Sequence, residues 1–367
     1  MKTVQVGLIG SGFVSAIHAA ALQRVPGAVV AAVASPSEER VARFAAEHAI
    51  PRWFTDYRRL LELREVEVVV IGAPNDLHAE IAVAAAEAGK HVICEKPLCL
   101  NLAEADRMIE ACRAAGVKLM YAEELCFAPK YVRLKQLVEE GAVGELTLIK
   151  QSEKHDGPHA DWFWDVERSG GGVAMDMGCH ALEFFRWMTG KRRAEWIWAD
   201  LSTQVHRERT QGDDNALLVV KFEGGVTAVA EESWTKKGGM DDRAEVYGSQ
   251  GVAYADLLRG SSILTYSETG YGYAVEKAST TRGWSFAIYE EIWNYGFPQE
   301  MAHFIECVRE DKEPLETGED GRAVLELIFA AYESARTGCR VALPFASEAA
   351  RPADLWRPPA GQRTSAS

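Results

Sequence analysis

The amino-terminal stretch from Val4 to Ser15 constrains the fold more than any other part of the chain. It begins with an apolar, β-branched run of strand length and continues into a turn that contains Gly10 and Gly12. The Ala-rich residues 16–25 that follow predict a helix. A strand, a glycine turn and a helix in this order direct free backbone N–H groups at one point, where a pyrophosphate fits. The stretch predicts a dinucleotide-binding fold, with an ordinary strand–helix turn as the alternative because Ser15 replaces the last Gly or Ala of that motif.

Composition limits the class of protein. The 367 residues leave room for two domains, and a hydrophobic content of 47% is enough for a core in each. A formal net charge of -14 works against binding to nucleic acid or to an anionic membrane surface, so a small molecule is the expected partner. The seven cysteines include no C-x-x-C pair, the first residues lead directly into a strand, and no apolar run reaches membrane-spanning length. A cytoplasmic protein is expected.

Strands and helices alternate through the rest of the first third of the chain. Apolar runs and helical periodicity predict strands at 28–34, 67–72, 90–94 and 117–121, with helices at 38–48, 80–88 and 102–115. This alternation is typical of a parallel α/β sheet, and it predicts a Rossmann domain over residues 1–125. Gly10, Gly12, Phe13 and Val14 would then bind the cofactor.

The end of the second strand is where such a domain selects its dinucleotide. An acidic residue there would hold the adenosine ribose, whereas this chain has Ser35 and then Arg40 on the next predicted helix. Ser35 fits either a ribose hydroxyl or a 2′-phosphate, and Arg40 is either a phosphate ligand or an exposed helix residue. NAD and NADP both remain candidates, with NAD slightly favoured.

Two further loops follow strand ends. Pro74, Asn75 and His78 come after the strand at 67–72, and Glu95 and Lys96 come after the strand at 90–94. Ligands of open α/β sheets bind at the carboxyl ends of the strands. These five residues are therefore candidate cofactor contacts, and Lys96 is also a candidate substrate contact.

The pattern changes after residue 126. A helix at 129–139 leads into mostly alternating segments that predict a large, open, mainly antiparallel sheet in an α+β domain over residues 126–345. The predicted strands are 145–152, 196–204, 215–222, 226–234, 243–247 and 252–256, and the predicted later helices are 300–309 and 321–337. A sheet with one uncovered face favours a homodimer or homotetramer. Residues 346–367, rich in Pro, Ala and Ser, are expected to form a loose tail.

Four motifs together resemble the Gfo/Idh/MocA family of NAD(P)-dependent sugar and polyol dehydrogenases. They are Gly10-x-Gly12, Pro74-Asn75-x-x-His78, Glu95-Lys96-Pro97 and the run from Gly170 to His180. The resemblance extends from Val4 to about Thr337. It implies a Rossmann domain, a second α/β domain with an open sheet, and a catalytic set of Lys96, Asp176 and His180.

The chemistry of an alcohol dehydrogenase supports these three residues. A carbinol that loses a hydride must also lose a proton, so a base with a near-neutral pKa is needed. Burial and an oxidised nicotinamide are expected to lower the pKa of Lys96 toward that range, unless Lys96 is simply a surface residue. Asp176 and His180 would share one face of a helix that begins near Asp176, with a helix cap and a structural histidine as the alternatives. The glycines at 170–172 favour close approach of backbone to a ligand.

A polar and aromatic segment lies between the strand at 145–152 and the glycine run. Its residues Glu153, His155, His159, Trp162 and Trp164 can bind the hydroxyl edge and the C–H faces of a sugar, so they predict a substrate rim. Nothing in their spacing indicates a metal site, and none is predicted.

The predicted function is oxidation of one secondary hydroxyl, with C3 of a pyranose favoured, in a sugar, glycoside, anhydrosugar or inositol, or reduction of the matching ketone. One alternative is a glycosidase that uses tightly bound NAD to oxidise C3 transiently and eliminate the aglycone. The other is a non-catalytic nicotinamide sensor.

Overall fold

A parallel six-stranded sheet forms the first domain of the structure, which is a computed structural model. It describes residues 2–258, 262–267, 283–288 and 290–356, and only the backbone of the two middle ranges. The strand order is β3-β2-β1-β4-β5-β6, with all neighbours parallel. The strands are β1 (Val4–Ile9), β2 (Ala28–Ala34), β3 (Trp53–Phe54), β4 (Val68–Ile71), β5 (His91–Glu95) and β6 (Leu119–Ala122). The predicted Rossmann fold is confirmed.

Helices cover this sheet where the sequence predicts them, with two exceptions. They are α1 (Phe13–Leu22), α2 (Glu38–Glu47), α3 (Tyr57–Leu61), α4 (His78–Glu87) and α5 (Leu102–Ala115). Helix α1 begins three residues earlier than predicted, directly after Gly12, so the turn between β1 and α1 is tighter than expected. The sequence analysis also missed α3 and the adjacent β3, which are only five and two residues long.

The departure of Ser15 from the glycine motif is compensated by its neighbours. Gly10 has a φ of +124°, and a Cβ there would lie 2.4 Å from the carbonyl oxygen of Gly72. A Cβ on Gly72 would in turn lie 2.7 Å from the Ser15 hydroxyl oxygen. The hydroxyl of Ser15 therefore uses space that the two glycines leave, and α1 still packs closely on the sheet.

The second domain is built on a seven-stranded mixed sheet. Its order is β12-β11-β7-β10-β9-β8-β15, in which only β7 and β10 are parallel. The strands are β7 (Leu146–Lys154), β8 (Ala194–Ser202), β9 (Asn215–Phe222), β10 (Thr227–Ser233), β11 (Asp241–Gly248), β12 (Val252–Asp256) and β15 (Val341–Ala342). An antiparallel pair of strands, β13 (Ser262–Ser267) and β14 (Gly283–Ile288), which the sequence analysis missed, forms a separate sheet.

Eight helices of the described chain belong to this second part. They are α6 (Pro129–Glu139), α7 (Val166–Ser169), α8 (Val173–Asp176), α9 (Gly178–Met188), α10 (Glu291–Asn294), α11 (Phe297–Glu310), α12 (Gly318–Thr337) and α13 (Pro352–Trp356). Helices α9 and α12 pack on the large sheet, and buried and half-buried residues alternate along β9. One face of the sheet is thus the core, and the other remains accessible.

The expected loose tail is partly ordered. Helix α13 packs against α12, Ala353 is fully buried, and its backbone N–H donates to the carbonyl of Gly170 at 3.1 Å. The ring of Trp356 lies against Tyr332. The composition of this segment did not predict the contact, because the contact depends on how α13 fits against α12. Residues 357–367 lie outside the described residues.

The glycines at 170–172 serve packing within the protein. A Cβ on Gly171 would lie 2.3 Å from the hydroxyl of Tyr332, and one on Gly172 would lie 1.9 Å from the carbonyl oxygen of Asp213. The Asp213 carboxylate accepts hydrogen bonds from the backbone N–H groups of Gly172 and Ala174 and caps α8. The expectation that these glycines make room for a ligand is therefore wrong.

Candidate active site

A cavity of about 1110 Å³ lies between the two domains, at the carboxyl ends of the parallel strands. Its wall includes most of the residues that the sequence singles out. They are Gly10, Gly12, Phe13, Val14, Ser35, Arg40, Pro74, Asn75, Glu95, Lys96, Glu153, His155, His159, Trp162, Asp176 and His180. Its volume is slightly above the usual range of about 300–1,000 Å³ for small-molecule sites. A dinucleotide and a sugar-sized molecule fit such a space together.

The turn between β1 and α1 has space beside Gly12 that no other described residue fills. No heavy atom of the described residues lies within 4 Å of a Cβ built on Gly12, whose φ of -91° suits any residue. Neither the backbone conformation nor packing requires glycine there. The residue lies at the N-terminus of α1, where free N–H groups attract a pyrophosphate. The residues present therefore fit a dinucleotide.

Replacing Gly12 by Ala is expected to weaken cofactor binding without changing stability. The new methyl group would meet only the bound pyrophosphate, so the dissociation constant for NADH should rise about tenfold or more, an increment of about 1.4 kcal/mol. Fluorescence titration with NADH and a thermal melt measure the two effects. By contrast, Gly172→Ala should lower the melting temperature strongly, because its Cβ would overlap the Asp213 backbone. Unchanged NADH affinity in Gly12→Ala would contradict the predicted cofactor site.

The part of the cavity wall that follows β2 carries hydroxyl groups. The Ser11 hydroxyl donates to the Ser35 hydroxyl at 2.9 Å, and Ser35 is buried at the end of β2. Arg40 is exposed on α2, where the Ser37 hydroxyl caps its backbone N–H. Both Ser35 and Arg40 belong to the cavity wall. This arrangement accepts a ribose and does not repel a 2′-phosphate.

The loop after β4 connects the domains, and one of its predicted cofactor contacts lies elsewhere. The Asn75 side-chain amide donates to the backbone carbonyl of Ser169 at 2.9 Å. His78 is fully buried, and its ring nitrogens lie 3.0 and 2.8 Å from the carbonyls of Pro97 and Ala73. It is not among the described residues of the cavity wall. His78 therefore connects the loops after β4 and β5 in the interior of the domain and does not face the cavity.

Lys96 lies at the carboxyl end of β5 and reaches across to the second domain. Its Nζ donates to the backbone carbonyl of Asp176 at 2.9 Å and pairs with the carboxylate at 3.2 Å. Behind it, Glu95 accepts the Lys96 backbone N–H at 3.0 Å and bonds the ring of His18 at 2.6 Å. The end of β5 and the end of α8, which carry Lys96 and Asp176, are thus fixed to each other at the cavity wall.

The charge state of this pair differs from the sequence expectation. Burial on its own would lower the pKa of Lys96, but the Asp176 carboxylate and other nearby acidic groups outweigh it and raise this pKa well above its usual value. Burial on its own would raise the pKa of Asp176, but the Lys96 ammonium lowers this pKa to about 2. The sequence analysis expected a lowered pKa for Lys96, whereas the groups of the protein itself raise this pKa.

Asp176 and His180 do not share one continuous helix. Asp176 ends α8, Met177 interrupts the helix, and His180 lies in the first turn of α9. The indole N–H of Trp234 donates to the second oxygen of the Asp176 carboxylate at 3.0 Å. Asp176 is therefore oriented from both sides, by Lys96 and by Trp234, and it does not cap α9.

The ring of His180 contacts the buried carboxyl group of Glu123. Its Nδ1 lies 2.6 Å from an oxygen of Glu123, and its Nε2 lies 3.9 Å from Glu124. Burial lowers the pKa of His180 to about 4 and raises the pKa of Glu123 to about 8. Near neutral pH the two groups together therefore carry no net charge, and they share one proton along the 2.6 Å contact.

The predicted substrate rim is mostly at the cavity, with one exception. The His159 ring stacks on Phe13 with centroids 3.9 Å apart, which joins the two domains over the cofactor turn. Trp164 is instead buried among Trp234, His206 and Arg209, outside the cavity wall formed by the described residues. Trp164 packs behind Trp234 and does not form part of the rim.

Sequence reasoning missed four residues that hold the catalytic candidates. They are His18, Glu123, Glu124 and Trp234, of which only Glu124 reaches the cavity wall. The position of Glu123 and Glu124 directly after a buried strand was an available signal, since it matches that of Lys96. His18 in α1 and Trp234 at the end of β10 gave none, because their partners are distant in the chain.

The fold and this cavity define a nicotinamide-dependent oxidoreductase, and comparison with known proteins gives the family. A family model described as "Oxidoreductase family, NAD-binding Rossmann fold" matches residues 4–123, and one for the "GFO/IDH/MocA C-terminal domain" matches residues 131–254. The chain is 31% identical to the myo-inositol 2-dehydrogenase of Thermotoga maritima over 90% of this chain and 96% of that protein. It therefore belongs to the Gfo/Idh/MocA family of oxidoreductases, which act on sugar or polyol hydroxyl groups.

Other relatives extend this similarity. The 1,5-anhydro-D-fructose reductase of Ensifer adhaerens is 29% identical over 90% of this chain and 96% of that protein. The crystal structure of GenD2 from gentamicin A biosynthesis in complex with NAD superposes with a TM-score of 0.88 and 28% identity over 94% of this chain and 97% of that one. Within the described ranges, none of the helices combines the length and apolar character that a bilayer crossing requires.

Proposed function

We propose that the protein transfers a hydride between NAD and one secondary hydroxyl of a cyclic sugar or polyol, with Lys96 as the general acid and base. One observation carries this proposal. The Lys96 ammonium, held by Asp176, lies on the wall of the same cavity as the dinucleotide turn at Gly10 and Gly12. A proton-transfer group, a cofactor turn and a sugar-sized space thus coincide.

When bound, the nicotinamide supplies the hydride chemistry. The protein's part is the proton. In oxidation, the free amine of Lys96 takes the hydroxyl proton as the carbonyl forms, and in reduction its ammonium returns the proton to the carbonyl oxygen. Asp176 orients Lys96, and the neutral His180–Glu123 pair presents the ring of His180 to a second substrate hydroxyl.

The substrate is proposed to be an inositol, a sugar, a glycoside or an anhydrosugar, oxidised at C3 if it is a pyranose. The names of the relatives above, which include an inositol dehydrogenase and an anhydrofructose reductase, support this range. NAD is the proposed cofactor. NADP should be tested beside it, because Ser35, the residue directly after β2, is not acidic and would not repel a 2′-phosphate.

The test is incubation of the purified protein with NAD or NADP across inositols, monosaccharides, glycosides and anhydrosugars. Reduced cofactor is read by absorbance, and the oxidised carbon is identified by NMR of the product. Aglycone release without net cofactor reduction would replace the dehydrogenase with a redox-assisted glycosidase. Cofactor binding with no turnover in either direction would favour a nicotinamide sensor.

We also propose that the accessible face of the large sheet joins copies of this chain into a homodimer or homotetramer. Trp198, Val219 and Val229 lie side by side on β8, β9 and β10, and all three remain half-exposed. Such an apolar row is typical of a subunit interface. Light scattering on the purified protein tests this proposal, and a monomer at micromolar concentration would contradict it.

The cytoplasm is the proposed location. No disulfide is formed by the seven cysteines, and all but Cys339 are buried. Reduced thiols are typical of cytosolic proteins. Cell fractionation tests this location, and recovery of the protein outside the cytoplasm would contradict it.

A further inference from the structure

Three acidic side chains lie in a row across neighbouring strands under the substrate end of the cavity. Glu153 is on β7, and strand pairing places Glu232 of β10 and Asp242 of β11 directly opposite it on either side. Side chains at such positions point to the same face of the sheet and are about 5 Å apart at Cβ. Only 5%, 2% and 0% of the three residues is exposed, in the same order.

This row has more hydrogen-bond acceptors than donors. Tyr131 and Gln151 both donate to one oxygen of Asp242, and the backbone N–H of Glu153 donates to one oxygen of Glu232. One further carboxylate oxygen on each of Glu153, Glu232 and Asp242 is buried and has no hydrogen-bond partner among the described residues. Buried acceptors without donors are costly, so the row calls for additional protons or for a cation.

The nearest lysine and arginine side chains on these strands are already paired elsewhere. Lys154, next to Glu153, pairs with Glu231 on the other face of the sheet at 2.7 Å. Arg243, next to Asp242, pairs with Asp241 at 3.0 Å. Lys96 is held by Asp176, as described above.

Glu153 is the member of the row that belongs to the cavity wall. Around the Lys96 ammonium, the same wall carries Glu124 and Asp176. A bound molecule therefore meets a surplus of carboxyl groups at this end of the cavity. Ionisation of these carboxyl groups is unfavourable beside a bound carboxylate or phosphate and favourable beside a bound cation, so the arrangement favours a substrate that carries a positive charge here.

We propose that the Glu153 carboxylate binds a protonated amine of the substrate, which makes the substrate an amino sugar or an aminocyclitol. This inference rests on the dehydrogenase function proposed above and names its substrate class. An ammonium group brings both the charge and the N–H donors that Glu153 lacks, whereas a neutral hydroxyl brings one donor and no charge.

The protonation state of Glu153 in the free protein allows the proposal to be tested by measuring proton release. Burial, together with the neighbouring Asp242 and Glu232, raises the pKa of Glu153 well above its usual value, so the carboxyl group holds a proton when no cation is near. An arriving ammonium group stabilises the carboxylate. Binding of an amine should therefore release about one proton per site, whereas binding of its hydroxyl analogue should release none.

The first experiment compares matched ligands on the full-length protein with NAD. The 2-amino, 3-amino and 6-amino deoxy derivatives of D-glucose and an amino-inositol are each measured against the hydroxyl parent and the N-acetyl derivative, with D-glucuronate as the anionic case. At least one amine should exceed its parent in kcat/KM by about tenfold or more. N-acetylation should remove that preference, and D-glucuronate should not react. Calorimetry in buffers of different ionisation enthalpy measures proton release by the wild-type protein.

The second experiment uses Glu153→Gln with Glu231→Gln as the matched control. The glutamine keeps the size and a hydrogen-bond donor but loses the charge, so the preference for the amine over its parent should fall to about one. Glu231, exposed on the other face of β10, should leave the preference intact when changed. A preference that survives Glu153→Gln, or neutral parents that turn over as well as every amine, would overturn the proposal and leave the dehydrogenase function standing.

Binding separates this proposal from the function on which it rests. Proton-linked amine binding with no turnover of any sugar would support the subsite and reject the dehydrogenase. The absence of both turnover and amine binding would reject both.

Discussion

Lys96→Ala lowers kcat for sugar or polyol oxidation by between ~10² and ~10⁴-fold, the usual contribution of a general acid–base group. The alanine cannot take the proton of the hydroxyl, while the turn at Gly10 and Gly12 is untouched. The dissociation constant for NADH should therefore stay within about threefold of the wild-type value, as an increment below about 1 kcal/mol. Single-turnover formation of NADH measures the first effect, and fluorescence titration measures the second.

Two further variants separate proton transfer from charge. Lys96→Arg keeps a positive charge beside Asp176, but a guanidinium does not deprotonate, so it should be as inactive as the alanine variant. Lys154→Ala removes a lysine that pairs with Glu231 on the other face of the sheet, and it should keep full activity. Turnover by Lys96→Ala within tenfold of the wild type would remove Lys96 from the mechanism.

Asp176→Asn should move the pH dependence of oxidation to lower pH and also reduce the rate. The Asp176 carboxylate stabilises the ammonium form of Lys96 and so raises its pKa. Without that charge the pKa of Lys96 falls, and the free amine that accepts the proton is present at a lower pH. The alkaline rise of kcat/KM therefore begins earlier in the variant.

The same substitution disturbs the geometry. An asparagine can accept the Trp234 N–H with its oxygen, but its amide then points two donors toward the Lys96 ammonium. The loss of orientation should lower kcat by about 10²-fold. Asp156→Asn, in which the lost carboxylate pairs with the exposed Lys237, serves as the control and should change neither quantity. An unchanged pH profile in Asp176→Asn would show that Lys96 is not the group that titrates.

Most of the fold could be predicted because its elements depend on local pattern. The bounds of β2, α5, α6, β9 and β12 are those that periodicity and turn residues predicted. The misses have a different origin. Helix α13 is held by contacts with α12 and Gly170, which are distant in sequence, and short α3 has too few turns to produce a periodic signal.

The candidate site was predictable to the extent that strand ends define it. Lys96 follows β5 and Gly10 follows β1, and parallel strands place both at one edge of the sheet whatever the rest of the chain does. His78 was misplaced because a histidine in the right loop can turn inward. Its two backbone carbonyl partners become visible only when the loops of β4 and β5 are packed together.

The sequence by itself determined most of the order of strands and helices, the dinucleotide turn and the set of residue types available at the strand ends, because these follow from local periodicity and from the topology of a parallel sheet. Only the tertiary structure decided which groups meet. The Lys96–Asp176 pair, the Trp234 bond that orients it, the Glu123–His180 contact and the acidic row beneath the cavity all join side chains from different elements. Their charges depend on burial and on distances of a few ångströms, and neither quantity is encoded in the spacing of residues along the chain.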